Sequence, residues 1–197
     1  MGWLFMRGLQ GYGSPRSYLD NQFTYANEHG RSTVLASAMG RGTVYYAAIE
    51  YIPVEGASSV FAVICLVKFN PRAADGFNFG YKDMSESMGP YEADCPAAIL
   101  DLLSQTDNEH ALAWREKCRA AIAARAQISA RPTPKPGQTI IFNPPLELTN
   151  GQVIARFTVI DAPKRGVRFR DPKSGVVVRV PNVKRRGYSL INAAVTA

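Results

Sequence analysis

The chain has 197 residues, of which 46% are hydrophobic and 20% charged, and its formal net charge is +7. That length accommodates one sizeable domain, or a medium and a small one. No stretch approaches the roughly eighteen continuous apolar residues of a membrane-spanning helix, so we expect no such helix and no membrane partner.

Three cysteines are present, Cys65, Cys95 and Cys118, and their spacing forms no pair. An odd count without paired spacing argues against a disulfide framework and for a reducing compartment. The residues after Met1 lack the basic segment of a secretory signal, so we expect a cytoplasmic protein. The two histidines and the scattered acids form no metal-binding motif, and no motif indicates a nucleotide, so neither a metal nor a cofactor is expected.

The first predicted elements are a strand and a helix. A short apolar strand is expected over residues 2–6. Ser14-Pro15 is typical of a helix start, and the helix is expected to run to about residue 27, with Gly30 at its C-terminal cap.

Three strands are predicted next. Residues 32–39 and 43–52 are strand-like, and Gly40-Arg41-Gly42 between them indicates the turn of a hairpin. Residues 60–69 are nearly all apolar, which is typical of a central strand, and Cys65 is expected to be a core residue there. The short turns predict an antiparallel meander with the first helix on one face.

The central loop, residues 80–94, is the densest mixture of functional-looking groups in the chain. It combines carboxylates with tyrosine and methionine, and loops of this kind are often contact surfaces. We predict that it contacts a protein partner; the alternative is a surface loop whose aromatic groups pack on the sheet. The predicted contact residues are Tyr81, Lys82, Asp83, Met84, Glu86, Tyr91 and Glu92.

The central loop also offers candidates for catalysis. Cys95 lies at a predicted helix start, where a thiol can have a lowered pKa, and His110 is its candidate base. The alternative for Cys95 is a half-buried residue of suitable size. A second version uses a carboxylate as general acid or base on a substrate held by Lys82 and Tyr81. The carboxylates considered are Glu86, Glu92 and Asp94.

Two helices follow the central loop. The first is predicted to begin at Asp94-Cys95-Pro96, with Asp94 as its cap, and to end near residue 104. The second is predicted over residues 109–128, after a capping segment at Thr106-Asp107-Asn108. Trp114 is expected to anchor this helix to the sheet. Its basic residues are expected to form a solvated face: Arg115, Lys117, Arg119 and Arg125.

A proline-rich linker is predicted over residues 131–137, because alternate prolines favour an extended chain. The charge balance changes sign at the same place. Residues 1–130 carry eleven basic and thirteen acidic side chains, whereas residues 131–197 carry twelve and three, a net charge of +9. We therefore predict an α+β domain over residues 1–130 and a small basic domain over residues 138–197.

The basic domain is predicted to contain only short strands separated by turns. About sixty residues of this kind indicate a small all-β barrel of the SH3-like or OB-like kind. The predicted strands are residues 138–143, 152–161, 166–170, 176–180 and 188–191.

Cations cluster between residues 164 and 186 and predict contact with nucleic acid or another polyanion. Tyr188 or Phe169 would add base stacking if exposed. An acidic protein would use the same surface, and the alternative is a barrel whose cations only protect its edge strands. The predicted contact residues are Lys164, Arg165, Arg168, Arg170, Lys173, Arg179, Lys184, Arg185, Arg186 and Tyr188.

Residues 1–120 contain a set of motifs that includes Gly80-Tyr81-Lys82-Asp83-Met84, Gly89-Pro90, Asp94-Cys95-Pro96 and Trp114-Arg115. In these motifs the segment resembles an uncharacterised family of small bacterial proteins met in phages, plasmids and integrated elements. The resemblance implies no activity and no residue role. A mobile-element setting implies a replication accessory, a regulator or an inhibitor of host defence, comparable to anti-CRISPR proteins.

Three hypotheses therefore remain open. The first is a non-enzymatic binding protein whose barrel contacts DNA, RNA or a nucleoprotein and whose front domain contacts a protein. The second is a small enzyme that uses the central loop. The third is an assembly protein in which apolar front-domain strands form a subunit interface, although the sequence does not define an oligomeric state.

Overall fold

The computed structural model describes residues 15–40, 44–66, 83–163 and 166–191. The chain divides into two compact units, Met1–Ala124 and Arg125–Ala197. The first unit contains α1 (Pro15–Phe23), β1 (Tyr25–Asn27), β2 (Gly30–Met39), β3 (Val44–Pro53), β4 (Ser59–Leu66), β5 (Asp83–Ser85), a 3-10 turn (Glu86–Met88) and α2 (Ala97–Leu100). The division falls within α3 (Glu109–Ala130). The second unit contains β6 (Thr139–Glu147), β7 (Val153–Asp161), β8 (Val167–Arg170), β9 (Val177–Val180), a 3-10 turn (Val183–Arg185) and β10 (Tyr188–Ile191).

The first unit is built on a five-stranded antiparallel sheet in the order β1-β2-β3-β4-β5. The predicted α+β class and the meander of three long strands are confirmed. One face of the sheet packs against Tyr18 and Leu19 of α1. The other face packs against α2 and α3 through residues that include Ile99 and Trp114. Because both faces are covered, β3 and β4 are apolar along most of their length.

The first helix ends earlier than the sequence predicted. It stops at Phe23, and Tyr25–Asn27 forms β1 instead of the last helical turn. The Asn27 side chain accepts hydrogen bonds from the backbone N–H groups of His29 and Gly30, which stabilises the tight turn into β2. Gly30 is therefore no helix cap: a Cβ there would lie 2.4 Å from the carbonyl oxygen of Ile52 on the neighbouring strand.

The helix predicted to begin at Asp94 is shorter and has a different cap. It spans Ala97–Leu100, and Pro96 precedes it without a side-chain capping bond. The Asp94 carboxylate instead accepts a hydrogen bond from the hydroxyl group of Tyr46 on β3. The carboxylate thus ties the chain before α2 to the sheet.

The second unit is a five-stranded antiparallel sheet in the order β10-β6-β7-β8-β9. All five predicted strands are present, although β6 continues through Asn143-Pro144-Pro145 to Glu147, beyond the predicted end at residue 143. The ladder between β6 and β7 shifts register at this segment. The core of the unit contains Phe142, Phe157 and Phe169, all almost completely buried.

The proline-rich segment lies within the second unit and packs against its strands. Pro134 is fully buried, the hydroxyl group of Tyr188 donates to the Pro132 carbonyl, and the N–H of Gly137 donates to the Val159 carbonyl. These contacts fix residues 131–137 on the strands, so the segment is not a free linker. The predicted boundary at residue 130 stays a prediction.

None of the helices in the described ranges combines the length and apolar character that a membrane span requires.

Candidate functional site

Four exposed arginines share the outer face of β7, β8 and β9. Along β8 the side chains alternate between buried Val167 and Phe169 and exposed Arg168 and Arg170. Antiparallel pairing sets Arg168 opposite Arg179 on β9, and directly opposite residues share a face. We call this surface the arginine face; its members are Arg156, Arg168, Arg170 and Arg179, together with Asp161.

The sequence prediction omitted Arg156, because it lies outside the cation cluster at residues 164–186. It lies two residues before Thr158, and Thr158 is paired with Arg170. Since alternate residues of a strand share a face, Arg156 belongs to the same surface as Arg170. The burial of Phe157 and Val159 agrees with this assignment. The alternation along residues 156–159 was the signal that could have found it.

Asp161 is the acidic member of the arginine face and is paired with Arg168. The Arg168 Nε atom donates to both carboxylate oxygens of Asp161, at 2.9 and 2.8 Å, and Nη2 donates to Oδ2. The hydrogen bonds from Arg168 lower the pKa of the Asp161 carboxyl, and the positive charges of Arg168 and Arg179 lower it further. Asp161 therefore holds one of the four guanidinium groups.

The basic loop at residues 184–186 is partly engaged in local contacts. The Lys184 ammonium donates to the Ser129 carbonyl at 3.0 Å, near the C-terminal end of α3. Arg131, which the sequence analysis did not single out, donates to the carbonyls of Lys184 and Arg186 at 2.9 and 2.7 Å. Because Lys184 is bound in this way, its role is first to fix the loop. The side chains of Arg185 and Arg186 are exposed.

The basic loop lies near the start of β8. An open pocket of about 280 Å³ is lined by Val167 together with Lys184 and Arg185. Val167 is on the buried side of β8, whereas Arg168, the next residue, is on its exposed side. Lys173 is exposed in the turn between β8 and β9, while Lys164 and Arg165 lie outside the described residues.

Neither aromatic residue proposed for base stacking is freely exposed. Phe169 is completely buried and packs edge-on against Phe142 at a centroid distance of 5.4 Å. Tyr188 is half-buried, and its ring packs edge-on against Phe142 at 6.3 Å. Its hydroxyl group donates to the Pro132 carbonyl at 2.6 Å. The condition of exposure fails for Phe169, and Tyr188 presents only part of its ring.

In the first unit, Glu86 is buried in an ion pair with Arg115. Arg115 donates from Nε and Nη2 to the two oxygens of Glu86, both at 2.7 Å, and from Nη1 to the Ser104 carbonyl at 2.6 Å. Glu86 also accepts from the backbone N–H of Ala62 on β4. Glu86 was predicted to contact a partner and considered as a catalytic acid. Instead it is only 2% exposed. Its carboxylate accepts a hydrogen bond from the backbone of β4 and binds Arg115 on α3.

Arg115 was expected on a solvated face but is buried. The ion pair lines a pocket of about 300 Å³, whose rim is rich in hydroxyl groups. Most of these groups serve the fold. Ser104 Oγ accepts from the N–H of Val60, and Thr106 Oγ1 accepts from the N–H of Asn108. Asn108, within the predicted capping segment, accepts from the N–H of Ala111 in α3.

Cys95 is not placed as an activated nucleophile. Its side chain is completely buried. Burial raises the pKa of the Cys95 thiol, and the neighbouring Cys118, Glu86 and Asp94 raise it further. Its candidate base, His110, is exposed and lies beside Gly89. A buried thiol with a raised pKa supplies little thiolate at neutral pH.

The other residues of the central loop differ widely in exposure. Tyr91 is 97% exposed, Asp83 is exposed, and Met84 is half-buried. The Glu92 backbone carbonyl accepts from the Trp114 indole N–H at 2.7 Å, while its Oε2 atom is buried without a hydrogen-bond partner among the described residues. Tyr81 and Lys82 lie outside the described residues. Within the described ranges, no three His, Cys, Asp or Glu side chains converge as metal ligands.

A family model for a domain of unknown function (DUF6927) matches residues 105–183. The match covers α3 and the strands β6 to β9, whereas the resemblance drawn from the sequence lay mainly before residue 105. No curated protein and no solved structure matches the chain. The matched segment contains all members of the arginine face.

Proposed function

We propose that this is a non-enzymatic binding protein whose second unit contacts nucleic acid or a nucleoprotein complex. The arginine face is the observation that carries the proposal. It gathers Arg156, Arg168, Arg170 and Arg179 on one exposed surface, in a segment whose net charge is +9 over residues 131–197. Guanidinium groups in such an array can each bind phosphate oxygens through two N–H donors.

The second unit has features of an SH3-like barrel, which we propose as its architecture. Its strands, numbered within the unit, follow the order 5-1-2-3-4, and a 3-10 turn separates the fourth strand from the fifth. SH3-like barrels share this order, whereas OB-like barrels have a different one. The proposal favours the first of the two predicted architectures.

The first unit is proposed to bind a protein partner through the exposed part of the central loop. Tyr91 supports this idea, because a tyrosine that is 97% exposed has almost none of its hydrophobic area buried within the chain. Met88, in the same loop, is 49% exposed. Glu86 no longer belongs to the proposed contact, since it is buried. Asp83, Met84 and Glu92 remain candidate rim residues.

The wider setting is also part of the proposal. We propose a protein of a phage, plasmid or integrated element that acts in the cytoplasm as a replication accessory or an inhibitor of host defence. The thiol state of Cys65, Cys95 and Cys118 is consistent with a reducing compartment. An enzyme using the central loop is less well supported, because Cys95 is buried and Glu86 is tied to Arg115.

Fluorescence anisotropy with the full chain and labelled DNA and RNA tests the nucleic-acid contact. The test variant replaces Arg156, Arg170 and Arg179 by glutamine. The matched control replaces three exposed cations of the first unit, Arg31, Lys117 and Arg119, and so lowers the net charge equally.

The arginine-face variant should lose most of the binding and the control should keep it. Binding should also weaken steeply between about 50 and 200 mM salt. Equal losses in both variants would mean that net charge, and not the arginine face, attracts nucleic acid. The absence of binding to any DNA or RNA would leave an acidic protein as the partner of this surface.

A further inference from the structure

We infer that the arginine face binds the phosphate backbone of a double helix and does not read base sequence. This inference rests on the proposed contact with nucleic acid and specifies its form. Three features of the second unit carry it: where its aromatic rings lie, how wide the sheet is, and how its arginines are spaced.

The aromatic residues argue against a single strand as the ligand. Proteins that hold single strands without sequence preference stack bases on exposed aromatic rings. Residues 125–197 contain four aromatic residues, and all four belong to the core or pack against it. The three phenylalanines are buried, and Tyr188 is held by Phe142 and Pro132. The unit therefore offers cations without a stacking platform.

The width of the sheet argues against reading base edges. A two-stranded ribbon can enter the major groove, which is about 12 Å wide. The arginine face spans β7, β8 and β9, and β7 is flanked on its other side by β6 and β10. Neighbouring strands lie about 4.8 Å apart, so the three strands of the arginine face and the adjoining β6 span about 14 Å before side chains are counted. Such a surface rests across the backbone and does not insert into a groove.

The spacing of the arginines suits the charge density of a duplex. Arg168 and Arg179 are cross-strand neighbours, and Arg170 lies two residues further along β8, which is about 6.8 Å. A duplex carries one phosphate per about 1.7 Å of axis, twice the density of one strand. A fixed array of this size therefore meets more phosphates on a duplex than on a single strand.

The salt dependence should reflect the number of arginines available. Asp161 engages Arg168, which leaves Arg156, Arg170 and Arg179 as members of the face outside that pair. Three phosphate contacts predict that log Kobs falls with log salt with a slope of about −2.7 on duplex DNA. Exposed cations outside the face, such as Arg185, would make the slope steeper.

The test compares labelled duplex DNA of two unrelated sequences, duplex RNA, single-stranded DNA and single-stranded RNA, each titrated with the full chain. We expect the duplexes to bind about tenfold more tightly than single strands of equal phosphate number. The two DNA sequences should bind with nearly equal affinity. The affinities for duplex DNA and duplex RNA are then compared, and the tighter complex identifies which of the two backbones the protein recognises.

Each other outcome has a defined meaning. Equal or tighter binding of single strands would overturn the inference while leaving the proposed function intact. A clear preference between the two DNA sequences would overturn backbone-only recognition. If no nucleic acid binds, the proposed function fails as well. All six residues substituted in the arginine-face variant and in the first-unit control are exposed, so neither variant is expected to unfold. A loss of binding in the arginine-face variant alone is therefore a loss of contact and not of folding.

Discussion

The ion pair between Glu86 and Arg115 makes the sharpest prediction about the fold. Glu86 is 2% exposed and Arg115 is 7% exposed, and both oxygens of the Glu86 carboxylate accept hydrogen bonds from the Arg115 guanidinium group. Glu86→Gln keeps the shape of the side chain and can still accept from the N–H of Ala62. It removes the negative charge, however, and leaves the Arg115 charge buried without its counterion.

The expected cost follows from this geometry. Removing one partner of a buried ion pair costs about 3–5 kcal/mol, because the remaining charge stays desolvated. Domains of this size are stable by about 5–15 kcal/mol, so Glu86→Gln should bring the first unit near its stability limit. Arg115→Met should cost a similar amount, since it leaves the carboxylate of Glu86 with fewer donors. The double variant should lose less than the sum, because it leaves no unpaired charge.

Tryptophan fluorescence during urea unfolding measures these changes in one unit. Trp3 and Trp114 are the two tryptophans, and both belong to residues 1–124. The control is Glu116→Gln with Arg119→Met, which changes exposed residues of the same helix and should alter stability by about 0.5 kcal/mol or less. Single variants that each cost under about 1 kcal/mol, as exposed ion pairs do, would refute the assigned role. Strictly additive costs in the double variant would also refute it.

Three further results are expected. Asp161→Asn should raise duplex affinity and steepen the salt slope by about 0.9, because it releases Arg168 and removes an anion from the arginine face; unchanged binding would contradict that role. In the native protein, Cys65, Cys95 and Cys118 should resist alkylation near neutral pH and react on unfolding, as all three are buried; mass spectrometry showing rapid native labelling would exclude this arrangement. Tyr46→Phe should lower the stability of the first unit by about 1.5–3 kcal/mol, because Asp94 loses a donor. Urea unfolding followed by tryptophan fluorescence would contradict this role of Tyr46 if the variant unfolded at the same urea concentration as the wild type.

The regular elements were accessible from the sequence because their signals are local. The apolar run in β4 and the alanine-rich helical pattern of α3 each dictate one type of element. The short strand β1 was missed because three residues beside a helix carry no distinguishable period. Gly30 was assigned to a helix end because its neighbour Ile52, on another strand, cannot be recognised from the local sequence.

The candidate sites were less accessible because their key contacts join distant residues. Glu86 and Arg115 are 29 positions apart, and an arginine beside other basic residues on a helix resembles a solvated residue until the fold buries it. Asp161 and Arg168 are only seven apart, yet their pairing depends on the register shift between β7 and β8. The clustering of cations was visible in the sequence, whereas the division between Lys184, which fixes a loop, and the exposed arginines was not.

The family match bears on the two proposed activities differently. It covers residues 105–183, which include Arg156, Arg168, Arg170 and Arg179 but neither Glu86 nor Tyr91. If the arginine face carries a function, that function belongs to the matched segment, whereas partner binding by the central loop belongs to the part of the chain before it. The two proposals rest on different residues and on different units, because Tyr91 lies in the first and the arginine face in the second. They are therefore independent hypotheses, and a result that refutes one leaves the evidence for the other unchanged.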